Sequence, residues 1–135
     1  MTARVRAVII EGEATPEVTA AIREAIDSPE LEVIYRAPSV AEIVAQAAIE
    51  TGIKPAAILG GGRTNDVVLA RFAVCWVSRR FGNRSSSQIG RALGGRNHAT
   101  IISAIRRAEG LRLRDREFEA LTDRLLAHFE NGGLQ

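Results

Sequence analysis

A chain of 135 residues, 46% apolar and only 4% aromatic, fits one domain of ordinary size with a mainly aliphatic core. Its single cysteine, Cys75, excludes an internal disulfide and a multi-cysteine zinc site, and its place in the apolar run Phe72–Val77 marks a core filler rather than a nucleophile. No stretch is long enough to cross a membrane, and the brief apolar run after Arg4 and Arg6 soon meets Glu11 and Glu13, so a soluble, cytoplasmic protein without a secretory signal is expected.

The net charge of +2 hides an asymmetry. Between Gly61 and Ala108 there are nine arginines against one acid, Asp66, a local +8 that leaves −6 for the remainder. Residues 1–37 carry four basic and seven acidic side chains. Every basic residue but Lys54 is arginine, which suits two-pronged contacts to phosphate or guanine. The concentration of charge points to a polyanionic partner.

In chain order, Arg4–Ile10 is rich in β-branched residues and reads as a strand, with a helical opening as the alternative. Thr15 as cap and Pro16 at the first helical position start a helix to about Ile26, which Pro29 ends. Leu31–Tyr35 reads as a second strand. This strand–helix–strand of residues 1–37 cannot easily cover its own sheet, and it is expected to be an appendage that pairs with a second copy or packs on the helical part of the chain. Pro38 opens that helical part, 38–135. Ser39 and Glu42 form a capping box for a helix to about Thr51, and Pro55–Leu59 makes a short helical turn. The loop Gly60–Gly61–Gly62–Arg63–Thr64 lacks the lysine and the strand–loop–helix setting of a nucleotide-binding P-loop, so no nucleotide is expected. Thr64 or Asn65 caps a long helix from Asp66 to Arg80, which Gly82 and Asn83 stop. A last amphipathic helix, Asp115–Glu130, turns Phe118, Leu121, Leu125 and Phe129 inward.

Between these helices, residues 85–108 have the layout of a helix-turn-helix. Gln88–Leu93 forms a short first helix, Gly94–Gly95 the turn, and Asn97 caps a second helix. Ile101, Ile102 and Ile105 are expected on its dry side; Asn97, Thr100, Ser103 and Arg107 on its polar side. Such a helix suits the major groove of DNA.

Residues Val40 to about Leu111 resemble the C-terminal DNA-binding domain of the bacterial chromosomal replication initiator, DnaA. The resemblance rests on Arg63–Arg71, then Ile89–Gly90, then Gly94–Thr100, in order and at the family's spacing. It implies a mainly α fold, a helix-turn-helix bundle of that type, here with the small N-terminal appendage. It also implies roles. Arg63 would enter the minor groove; Asn97, His98 and Ala99 would meet base edges in the major groove; Thr100, Arg71, Arg79, Ser86, Ser87 and Arg96 would hold phosphates. Asn97 stands where the family has Asp, and Ala99 where it usually has Thr. Asp only accepts a hydrogen bond, as from cytosine, whereas Asn also donates and can suit adenine; Ala99 keeps a methyl but loses a hydroxyl. Both departures fall at reading positions, so binding of an altered sequence is expected. No nucleotide-hydrolysing segment is seen, so ATP-driven strand opening is not carried over.

The sequence thus reads as a non-enzymatic, double-stranded-DNA-binding protein that regulates replication initiation or transcription. It has no paired carboxylates, nucleophile–base set, metal cluster or cofactor motif. The competing reading is an adaptor that uses the same scaffold to bind an acidic protein. A homodimer through residues 1–37 is expected.

Overall fold

The computed structural model describes residues 7–11, 20, 32–81 and 84–131. Two strands, β1 (Ala7–Glu11) and β2 (Glu32–Arg36), pair in parallel with Ala7 opposite Glu32 and Glu11 opposite Arg36. Of the helix expected between them, from Thr15 to Ile26, only Ala20 is among the described residues, and it is helical and exposed; the rest of that helix, and Arg4 and Arg6, lie outside them.

The rest is helical: α1 (Val40–Thr51), α2 (Pro55–Leu59), α3 (Asn65–Arg80), α4 (Ser86–Ala92), α5 (His98–Arg114) and α6 (Arg116–Asn131). Local chemistry fixes most of the boundaries. Ser39 accepts from the Glu42 N–H at 3.1 Å to start α1, and Gly52 ends it at φ 74° with its N–H on the Ala48 carbonyl. Pro55 stands at the first position of α2. Thr64 is the cap residue of α3, where the Asp66 carboxylate accepts from the Val67 N–H at 2.9 Å. Hydrogen bonds from the Thr64 side chain and the Val67 N–H hold the Asp66 carboxyl below its usual range.

Helix α3 is the axis of the bundle, packed against α1, α5 and α6 and touched by α2 and α4. Ala73 through Ser78 are all buried, which only a helix covered on every side shows. Around it lie Ile43 and Val44 from α1, Ile58 from α2, Ile89 from α4, Ile101 and Ala108 from α5, and Phe118, Leu121, Leu125 and Phe129 from α6. The four α6 residues are those expected to face inward. Trp76, only 8% exposed, closes one edge of the core with the guanidinium groups of Arg112 and Arg80 at 4.3 and 5.1 Å from its ring. Arg112 also pairs with Asp123 at 2.8 Å and Arg124 with Glu50 at 3.0 Å.

Burial pushes the Cys75 thiol up to about 12, against the opposing pull of Arg96 and Arg71. Cys75 should therefore resist a thiol reagent at about pH 8 in the folded protein and react at once in denaturant. Rapid reaction without denaturant would contradict the buried-filler assignment.

Candidate nucleic-acid interface

Helix α4 starts two residues earlier than its apolar pattern alone indicates. Ser85 accepts from the Gln88 N–H at 3.1 Å, and the Gln88 side chain accepts from the Ser85 N–H at 2.8 Å, a reciprocal capping box that puts Ser86 and Ser87 in the first turn. The turn after α4 is set by glycine contacts. A Cβ on Gly90 would sit 2.1 Å from the Arg96 carbonyl oxygen, and the Arg96 N–H donates to the Gly90 carbonyl at 2.7 Å. Gly94 has φ +73°, and a Cβ there would lie 2.4 Å from the Leu59 carbonyl oxygen. α4 therefore approaches the entry to α5 at backbone distance, and the turn also presses on the end of α2.

Asn97 caps α5 as expected, its Oδ1 accepting from the Ala99 N–H at 2.8 Å. Asn97, His98, Ala99 and Thr100 are all exposed, and the next residue, Ile101, is completely buried. One of the three isoleucines departs from expectation. Ile105 is half-buried, but Ile102 is 39% exposed. The buried stripe runs Ile101, Ala104, Ala108, spaced by three and four residues; Ile102 lies about a 100° step off it, on the outer side with Ser103 and Arg106. Helix α5 also runs on to Arg114 through Gly110, leaving only Asp115 before α6.

Two arginines expected at phosphates are committed to the glycine loop. Arg71 donates from Nε to the Ile58 carbonyl at 2.9 Å, from Nη1 to Gly62 at 3.2 Å, and from Nη2 to Gly60 at 2.8 Å and Ala57 at 3.4 Å. With five N–H groups in a guanidinium, one Nη1 hydrogen remains. Arg96 donates from Nη1 to Leu59 at 3.0 Å and Leu93 at 2.6 Å, and from Nη2 to Gly60. Both cations thus sit on the carbonyl end of α2, where the helix dipole favours positive charge. The loop shows them its carbonyls, which is the opposite polarity to a phosphate cradle. Arg63 follows this anchored segment and is exposed.

Arg71, Arg96, Ala99, Thr100 and Arg107 line one hollow of about 480 Å³ between α3 and α5. A second group forms where α3 meets α4: Arg79 donates to the Ser86 hydroxyl and the Arg84 carbonyl, both at 3.3 Å. Ser87 is exposed beside it. Arg84 turns inward. It donates to the carbonyls of Phe81 at 3.0 Å, Ser78 at 3.4 Å and Pro38, which closes the carbonyl end of α3. Sequence reasoning thus missed the clamp made by Arg71 and Arg96, the inward turn of Arg84, and exposed Ile102. Only the last had a local signal, its phase on the helix.

Residues 40–108 match the family model described as the bacterial DnaA protein helix-turn-helix. The chain belongs to that family. It is 33% identical over 118 residues to the chromosomal replication initiator protein DnaA of Caulobacter vibrioides, a match covering 84% of this chain and 24% of that protein. To the protein of the same name from Thermus thermophilus it is 36% identical over 80 residues, 59% of this chain and 18% of the relative. The chain thus spans a quarter or less of the length of these DnaA relatives. Among the described residues, no group of acids, histidine and cysteine is arranged to hold a metal ion, and no helix is long and apolar enough to cross a membrane.

Proposed function

We propose that this DnaA-family protein binds double-stranded DNA, with the opening of α5 in the major groove and Arg63 in the adjacent minor groove. One observation carries the reading: four exposed hydrogen-bonding or small residues, Asn97–Thr100, open a helix whose next residue is completely buried. Such a helix is seated on its own core while its end is free to enter a groove. Asn97, His98 and Ala99 meet base edges, and Ile102 on the same outer side offers an apolar contact to a thymine methyl. Thr100, Arg79, Ser86 and Ser87 hold phosphates, and Arg71 and Arg96 contribute charge while their hydrogen bonds mainly fix the loop. The action is regulation of replication initiation or of transcription, in keeping with the replication-initiator relatives.

Residues 38–135 carry DNA binding. The acidic segment 1–37 is an appendage kept off the phosphates, and its sheet edge is one of two surfaces on which a second copy can seat.

Duplex binding should fall steeply with salt. Neutralising about five to seven phosphates gives a slope of log K on log salt of roughly −4.5 to −6. Fluorescence anisotropy across a salt series measures it; a flat response, or no binding at low salt, would favour the adaptor reading. Added ATP should leave the curves unchanged.

A further inference from the structure

We infer that the corner where α5 meets α6 is a self-complementary patch through which two copies of the chain pair about a two-fold axis. Leu113 is 88% exposed, the most exposed large apolar side chain among the described residues, and exposed Arg114 and Arg116 flank it. Its neighbours in the chain, Asp115 and Glu117, line a groove of about 250 Å³ between α1, α3 and α6. Ile53, Leu69 and Leu121 give it an apolar lining, and Asp66, Asp115 and Glu117 stand at it. Its other acid, Glu50, is already paired with Arg124 at 3.0 Å. An apolar knob with two cations therefore neighbours an apolar socket with three carboxylates, of which Asp66 and Asp115 also accept backbone N–H bonds at the starts of α3 and α6 while Glu117 makes no side-chain bond among the described residues.

Within one copy the two cannot meet, because Leu113 is solvated and does not line the groove. Only Arg114 separates Leu113 from Asp115 in the chain, so knob and socket share one surface patch. A two-fold axis between them places each knob in the other copy's socket, the closed arrangement that a self-complementary patch permits. The opening of α5 lies at the other end of a 17-residue helix, about 25 Å away at roughly 1.5 Å per residue. Both reading ends stay free, and paired sites in inverted orientation would be held with added avidity. One leucine and a few ion pairs per side make a small interface, so the association is weak and is sought at high micromolar concentration.

Sedimentation equilibrium of the full chain tests this. The wild type should associate with concentration, and Leu113→Asp should weaken association at least about tenfold. Arg114→Glu and Glu117→Arg should each do the same. An equimolar mixture of those two variants should associate again, because both crossed contacts then join opposite charges. Circular dichroism establishes that each variant is folded. A wild type monomeric throughout overturns the proposal, and so does a folded mixture that stays monomeric. Association that survives all three substitutions also overturns it and assigns pairing to another surface, such as residues 1–37. A monomer that instead binds a synthetic lysine–leucine peptide at this groove overturns the pairing and gives the socket to a foreign segment.

Discussion

Gly90→Ala is expected to cost about 2–4 kcal/mol of stability, the range of a core steric conflict that only backbone movement relieves. The methyl would stand 2.1 Å from the Arg96 carbonyl oxygen and 3.4 Å from the Ile101 side chain. A carbonyl in a tight turn cannot swing aside as the end of a long side chain can. Relief would prise α4 from the start of α5, and the Gly90–Arg96 hydrogen bond would go with it. Gly95→Ala is the control. Gly95 has φ +75° but nothing within 4 Å of an added Cβ, so only the left-handed backbone is penalised, at about 1 kcal/mol. Thermal melts followed by circular dichroism should place Gly90→Ala well below Gly95→Ala. Equal melting temperatures would mean that the close approach of the two helices is not a constraint.

The second large effect falls on DNA affinity. Arg63→Ala should weaken binding about 10- to 100-fold on sites with an A·T-rich flank, where the minor groove is narrow and most negative, and less on G·C-rich flanks. Arg79→Ala should weaken both equally, as loss of a phosphate contact does. Arg71→Ala should act through Arg63 as well as through charge, because its bonds to the carbonyls of Ile58, Gly60 and Gly62 fix the segment that presents Arg63. The losses for Arg63→Ala and Arg71→Ala should then fall short of additivity in the double variant, by roughly 0.5 kcal/mol or more, the least coupling expected of residues that share a structure. Additive losses, or equal losses on both flanks, would leave Arg63 as one more surface charge.

What the sequence made legible is what short-range chemistry decides. The caps at Ser39 and Asn97, the proline start of α2 and the inward face of α6 involve partners within four or so residues, and each stands where its spacing puts it; the reciprocal half of the box at Ser39 does not form, because the Glu42 carboxylate takes the Ser39 hydroxyl instead. The fate of the arginines was not legible. Arg71 reaches carbonyls 9 to 14 residues away, Arg96 reaches 36 and 37 residues back, and Arg84 reaches Pro38 across 46. Composition and motif position give these side chains the same appearance as Arg63, and only the packed bundle separates clamps from free cations. Ile102 reads as core because three isoleucines in five positions look like one stripe; the helix holds two of them there and turns the third outward. The start of α4 was hidden for a related reason, since it is set by serines that carry no apolar signal.

That the opening of α5 reads base edges is tested most directly at Asn97. Its Oδ1 accepts from the Ala99 N–H, so its amide hydrogens are the groups left wholly free. They should select a base-pair edge that presents an acceptor, such as a purine N7. Asp at this position would keep the cap and present only acceptors, which suits the amino group of cytosine. Selection of bound duplexes from a random pool, with the wild type and with Asn97→Asp, measures this. Two motifs should emerge that agree at every position but one, with the aspartate variant moved towards cytosine on the contacted strand. Identical motifs from the two proteins, or no motif from either, would contradict that reading.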